Sequence, residues 1–129
     1  MAKNDVFVFG SNDAGAHGAG AAAFAYKTKG ARYGQSYGHH GQSFAIPTKD
    51  EFITTLPLDR INDYVRGFLA FARGHRKLNF QVTCIGCGLA GLRHEDIAPM
   101  FKDAPKNCSF DTLWQPYLGM SVAYWGTFP

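Results

Sequence analysis

Fifteen glycines constrain the fold of this 129-residue chain more than any other feature, because they are concentrated in two segments, residues 10–41 and 86–91. Each segment follows a short apolar run, residues 5–10 and 79–85, of the kind that forms a buried strand. Glycine allows the backbone to approach a bound molecule closely. The sequence therefore predicts two ligand-binding loops, each at the carboxyl end of a strand.

Strands alternate with helices along the chain. The clearest helix covers residues 57–74, where apolar side chains recur with the helical period. Local composition predicts the remaining elements: helices at 21–29 and 93–102, strands at 42–47, 109–111 and 119–125, and a loop at 31–41. This order predicts an α/β fold with a mixed, mostly parallel sheet covered on both faces, forming a single domain over residues 1–129.

Composition excludes several classes of protein. Hydrophobic residues make up 46% of the chain and charged residues 18%, which predicts a packed core and not a disordered chain. No run of about 18 apolar residues occurs, and the first residues lack the pattern of a secretory signal, so we expect no membrane partner. Three cysteines, without a second pair of ligands, do not form a zinc set. We expect a cytoplasmic protein without a metal or a cofactor.

The first glycine loop contains Gly18-Ala-Gly20 directly before the helix at 21–29. Backbone N–H groups and the positive end of a helix favour a phosphate there. The loop matches only a loose form of the dinucleotide fingerprint and is too long for its tight turn, and no Gly-Lys-Ser/Thr of a P-loop occurs. A plain turn in front of an alanine-packed helix is the alternative.

The second loop reads Gly86-Cys-Gly-Leu-Ala90, again between a strand and a helix. Ligands of open α/β sheets bind beyond the carboxyl ends of the strands, so the two loops could share the phosphates of one ligand. Cys87 is either a nucleophile or, as we favour, a small buried thiol, because no His-Asp partner can be named from spacing. Cys84 is expected in the core.

Charged and aromatic side chains outside these loops suggest further roles. Lys49 ends a strand, where its amine could bind phosphate or attack an anomeric carbon. The histidines of the glycine-rich segment could contact a ligand, although we favour a position at the surface; they are His17, His39 and His40. The adjacent His39 and His40 are not expected to ligate one metal ion. The net charge of +3 is spread along the chain. A nucleic-acid-binding module built on Arg32, Tyr33 and Tyr37 is the third candidate function, which this scattered charge does not favour.

Four motifs in order resemble the macro domain, the ADP-ribose-binding fold, and within it the terminal ADP-ribose glycohydrolase branch with its small bacterial and phage relatives. They are Val6-Phe-Val-Phe-Gly-Ser-Asn12, His17-Gly-Ala-Gly-Ala21, Ile46-Pro-Thr-Lys49 and Ile85-Gly-Cys-Gly-Leu89. Glu95 and Ile97 suit the helix behind the last of them. The resemblance covers about residues 5–102 and leaves out the tail after Pro105.

The resemblance implies a three-layer α/β/α sandwich that binds ADP-ribose or a related nucleotide, free or attached to a macromolecule. The diphosphate would lie between the two loops, the distal ribose at Asn12, and an aromatic ring, Tyr33 or Tyr37, over the ligand. The implied ligand-binding residues are Asn12, Gly18, Ala19, Gly20, Gly86, Cys87, Gly88, Leu89 and Ala90.

The resemblance also implies a second candidate function, ADP-ribosyl hydrolysis. Glycohydrolases of this branch use a lysine that attacks the ribose, together with an aspartate directly after Gly-Cys-Gly-Leu. Lys49 matches the lysine, but Ala90 stands at the position of the aspartate and cannot carry a proton. We therefore expect binding, with hydrolysis as the alternative in which Asp13, His17 or His94 replaces the missing acid.

Overall fold

A six-stranded mixed sheet organises residues 4–128, the part of the chain that the computed structural model describes. The spatial order of the strands is β2-β3-β1-β4-β5-β6. Only β2 runs antiparallel to its neighbour, so the predicted mixed, mostly parallel sheet is confirmed. The strands are β1 (Asp5–Asn12), β2 (Gly38–His40), β3 (Ser43–Lys49), β4 (Asn79–Val82), β5 (Cys108–Asp111) and β6 (Ala123–Gly126).

Four α-helices lie among the described residues, and together with the sheet they make the protein α/β. Two have 9 and 17 residues, and the other two are single turns, each beside a short 3₁₀ turn. The helices are α1 (Gly20–Thr28), α2 (Leu58–Gly74), α3 (His94–Ile97) and α4 (Gln115–Leu118), and the 3₁₀ turns cover Ala98–Phe101 and Thr112–Trp114. No helix in the described part of the chain is both long and apolar enough to cross a bilayer.

The central strand β1 is buried on both faces, because its successive side chains point to opposite sides of the sheet. Val6 and Val8 belong to a large cluster that contains the apolar face of α2. Phe7 and Phe9 belong to a smaller cluster with Ala25 of α1. The uninterrupted apolar run of β1 in the sequence therefore reflects a strand with a helix on each side.

Several predicted elements differ from the structure. The segment 31–41, predicted to be a loop, contains the edge strand β2, whose Gly-His-His sequence has no apolar alternation and which forms by pairing with β3. The helix predicted at 93–102 is divided into α3 and a 3₁₀ turn, because Pro99 has no N–H to donate to the preceding turn. The strands predicted at 79–85 and 119–125 are shorter, covering Asn79–Val82 and Ala123–Gly126.

The connections around β1 create a crevice at the carboxyl ends of the central strands. β1 pairs with β3 on one side and with β4 on the other. After β1 the chain continues to β2 and β3 on one side, and after β4 it continues to β5 on the other side, so the loops that follow β1 and β4 turn away from each other. Such a switch point is where open α/β sheets bind ligands.

Candidate ligand-binding site

A cavity of about 700 Å³ lies at the carboxyl ends of β1, β3, β4 and β5. Both glycine loops border it, as does Lys49 at the end of β3. All residues that the sequence assigned to ligand binding line this one cavity: Asn12, Gly18, Ala19, Gly20, Gly86, Cys87, Gly88, Leu89 and Ala90.

The first loop is closed by the side chain of Asn12. Its amide nitrogen donates to the carbonyl oxygen of Ala16 at 2.8 Å, and its oxygen accepts from the Ala16 N–H at 3.0 Å. Gly15 adopts a φ of +69°, and a Cβ at this position would lie 2.5 Å from the carbonyl carbon of Gly34. The Asn12 side chain and the close approach of the loop at Gly34 therefore hold this loop in shape, and the Asn12 amide has part of its hydrogen-bonding capacity already in use.

The amino end of α1 borders the cavity, and its first backbone N–H groups are not used within the helix. The N–H of Ala23 donates to the Ala19 carbonyl at 3.1 Å, so the N–H groups of Gly20, Ala21 and Ala22 precede the first hydrogen-bonded turn. No side chain caps this end, and its first turn carries no acidic residue. The helix thus presents partial positive charge to the cavity.

The second loop turns sharply after β4 and also presents backbone donors. Gly86 has a φ of +74°, and a Cβ there would lie 2.9 Å from the side chain of Leu92. Within the described residues, the N–H groups of Gly88, Leu89 and Ala90 donate to no protein acceptor. The Leu89 side chain reaches towards the first loop, where its Cδ1 would lie 3.6 Å from a Cβ on Gly20. Donors from two loops therefore face one space.

Lys49 and Ala90 border the cavity together. In the register of β1 with β3, Lys49 is the Cα partner of Asn12. The Ala90 carbonyl accepts a hydrogen bond from the Thr55 hydroxyl at 2.8 Å, which ties the second loop to the segment after β3. No carboxylate among the described residues lies within ion-pair distance of Lys49. The Lys49 amine is therefore available to a ligand.

Sequence reasoning missed Asp111, the one carboxylate among the described residues that line the cavity. Asp111 ends β5 and is only 2% exposed. Its oxygens accept from the Leu113 N–H at 2.9 Å, the Thr127 hydroxyl at 3.1 Å and the Phe128 N–H at 3.2 Å. The available signal was its position as the last residue of the strand predicted at 109–111. Asp111 holds the final segment, including the Phe128 ring, against the cavity.

The three candidate acids lie in different surroundings. Asp13 and His17 are not among the lining residues, whereas His94 is. His94 Nδ1 accepts from the Trp114 indole N–H at 3.0 Å, so Nε2 carries the ring proton. The surface position predicted for His17 is wrong: the ring is 1% exposed, with Nε2 2.8 Å from the Arg32 carbonyl oxygen, because the loop at 31–36 covers it.

The aromatic side chains expected over the ligand lie elsewhere. Tyr33 contacts His17 and Tyr26, and Tyr37 packs against Phe44 and Tyr64 on the α2 side of the sheet. Neither ring lines the cavity. Since the two tyrosines pack against different neighbours, they form no common stacking surface of the kind that binds single-stranded nucleic acid.

The two cysteines beside the cavity are not activated. Burial raises the pKa of the Cys84 thiol to about 12 and that of Cys87 to about 11, and nearby carboxylates add to both shifts. Both thiols are therefore protonated near neutral pH, whereas a nucleophile or metal ligand must be a thiolate. In the described part of the chain, no group of three or more His, Cys, Asp or Glu side chains could hold a metal ion.

No protein-family profile, curated protein or solved structure matches this chain. The cavity and the order of the motifs that line it are therefore the features of this chain that bear on its function.

Proposed function

We propose that this protein binds ADP-ribose or a closely related nucleotide, free or attached to a macromolecule, and that its fold is a three-layer α/β/α sandwich of the macro-domain type. One observation carries the proposal: two glycine loops from different parts of the chain present unpaired backbone N–H groups to the same cavity. The volume of about 700 Å³ lies within the roughly 300–1,000 Å³ of small-molecule sites.

A diphosphate suits the centre of this cavity. Backbone N–H groups from both loops and the amino end of α1 would donate to its oxygens. Lys49 adds a positive charge at one end, beside Asn12. Phe128 and Leu113 line the cavity as well, and provide apolar surface on which a base can rest. In this arrangement the distal ribose lies at Lys49 and the adenosine at Phe128.

Titration calorimetry with ADP-ribose tests the proposal, and Gly88→Glu is the decisive variant. A Cβ on Gly88 meets no atom within 4 Å, so the substitution keeps the fold and adds a carboxylate where the diphosphate would lie. We expect affinity to fall at least tenfold, which is about 1.4 kcal/mol. Gly74→Glu, at the end of α2, is the matched control, because its Cβ is also unobstructed and it does not line the cavity. Absence of heat for the wild type, or equal affinity of the two variants, contradicts the proposal.

Hydrolysis of an ADP-ribosyl bond is the second candidate, and the position of Lys49 on the cavity favours it. A hydrolase of this kind requires the Lys49 amine to attack the anomeric carbon while the ADP-ribosyl bond breaks, a second group to donate a proton to the leaving group, and water to release the sugar from the lysine afterwards. Ala90 supplies no such group, so we expect the wild type to bind without turnover and Lys49→Ala to cost only modest affinity.

An assay for the release of ADP-ribose from modified protein or DNA distinguishes binding alone from hydrolysis. If the wild type turns over and Lys49→Ala does not, while still binding, the protein is a hydrolase. Activity gained by Ala90→Asp would show that Lys49 is already placed for attack. Turnover that survives Lys49→Ala contradicts both readings and points to another group, with His94 the remaining candidate on the cavity.

A further inference from the structure

Ile53 has a backbone conformation that its side chain disfavours. Its φ is +64°, and it is the one non-glycine residue among those described with a positive φ. A β-branched side chain in this left-handed region collides with its own backbone, so the position is one that glycine or asparagine normally occupies.

The surrounding turn determines this conformation and does not require isoleucine. Lys49 and Thr55 form an antiparallel bridge, and the Asp50 carboxylate accepts from the N–H groups of Phe52 and Thr54, both at 2.9 Å. The Ile53 N–H donates to the Asp50 carbonyl at 3.1 Å. All these contacts are made by the backbone or by Asp50, so glycine at position 53 would form the same turn with less strain.

Ile53 lines the cavity. It does so together with Lys49, although 51% of it is exposed, and it belongs to neither buried cluster. The adjacent Phe52 is 80% exposed and does not line the cavity. Strained residues persist where the surrounding structure holds them in place, and they are concentrated at ligand-binding sites.

We propose that Ile53 is a specificity-determining residue, whose apolar side chain lies over the sugar ring held beside Lys49 and excludes water from it. The inference rests on the proposed function and goes beyond it, because it assigns to Ile53 the discrimination between ADP-ribose and ADP, which lacks the distal ribose. A contact made at the far end of the ligand adds affinity for ADP-ribose and none for ADP.

The experiment compares Ile53→Gly with Phe52→Gly, a change of similar kind in the same turn but away from the cavity. We expect Ile53→Gly to leave Tm unchanged or higher, because relief of the left-handed strain offsets the added freedom of the unfolded chain. Phe52→Gly gains no such relief and should lower Tm. By calorimetry, Ile53→Gly should lower the affinity for ADP-ribose at least fivefold and the affinity for ADP less than twofold. Phe52→Gly should change neither affinity. Ile53→Val should retain most of the discrimination between the two nucleotides.

Any other result contradicts either the proposed function or the role proposed for Ile53. If the wild type binds neither nucleotide, the proposed function fails and the role of Ile53 with it. If the wild type binds and Ile53→Gly binds each nucleotide as tightly as the wild type does, only the role proposed for Ile53 is contradicted. Equal weakening of ADP-ribose and ADP shows that Ile53 does not contact the distal ribose, and overturns the specificity.

Discussion

The two sides of the sheet are built from different residues. On the α2 side, aromatic rings and branched aliphatic side chains interlock, and Phe68 packs with ring centroids 5.0 Å from Phe44 and 5.3 Å from Phe80. On the α1 side, the buried cluster contains two phenylalanines of β1 and otherwise only alanines: Ala25, Ala31 and Ala45.

This difference separates the side that stabilises the domain from the side that carries part of the proposed binding site. Large apolar side chains that leave water contribute most of the free energy of folding, so the α2 side stabilises the domain. Small residues contribute less but allow backbones to approach closely. On the α1 side, residues of the first glycine loop and of the amino end of α1 line the cavity.

Removal of the Phe68 ring tests the stabilising side and should have the largest effect. Phe68 is fully buried, so we expect Phe68→Ala to reduce the free energy of unfolding by about 3–5 kcal/mol. Chemical denaturation measures this loss, and titration under conditions where the variant stays folded should give an ADP-ribose affinity within twofold of the wild type. A loss of stability below about 1 kcal/mol would show that the α2 side is not the main source of stability.

A methyl group on the first glycine loop tests the binding side. Gly15→Ala combines a positive φ with a clash against the Gly34 backbone. We therefore expect it to reduce the free energy of unfolding by about 2–4 kcal/mol and to lower the affinity for ADP-ribose. Gly34→Ala is the control, since its φ of +83° is similar but a Cβ there meets no atom within 4 Å. We expect the control to cost about 1–2 kcal/mol by denaturation. An equal loss of stability in the two variants would mean that the loops at Gly15 and Gly34 do not need to approach each other so closely.

The smallest effect is expected at the surface of the α2 side, where Asp103 accepts two hydrogen bonds of 3.0 Å from Arg66 and lies 3.4 Å from Arg73. The hydrogen bonds from Arg66 lower the pKa of Asp103 below its ordinary 3.8. A lowered carboxyl pKa stabilises the fold above pH 3.8, and this contribution disappears as the pH falls through the lower pKa of the folded state.

The exposed pair should contribute less than about 1 kcal/mol. Asp103→Asn therefore reduces the free energy of unfolding slightly at pH 7, and less in high salt or well below pH 3.8. Denaturation curves at two pH values measure the difference. A cost that does not change with pH or salt would contradict the electrostatic origin of the contribution.

The sequence by itself determined the features that depend on local patterns. The helical period predicted residues 57–74 as a helix, and α2 covers Leu58–Gly74. Apolar runs followed by glycine predicted β1, β4 and their loops, and the order of elements predicted an α/β protein. These predictions succeeded because period, turn-forming residues and backbone freedom are properties of neighbouring residues. That both loops serve one ligand remains a prediction.

Tertiary structure decided what depends on distant partners. β2 has no apolar pattern and is a strand because β3 lies beside it. His17 is buried because a loop 15 residues away covers it. Asp111 reaches the cavity because β5 lies beside β4 in the sheet and its carboxyl end is on the same side as those of β1 and β4. Ile53 adopts a strained φ because the hydrogen bonds around it fix the turn. Burial, strain and the meeting of remote residues arise only when the chain packs, so no local pattern records them.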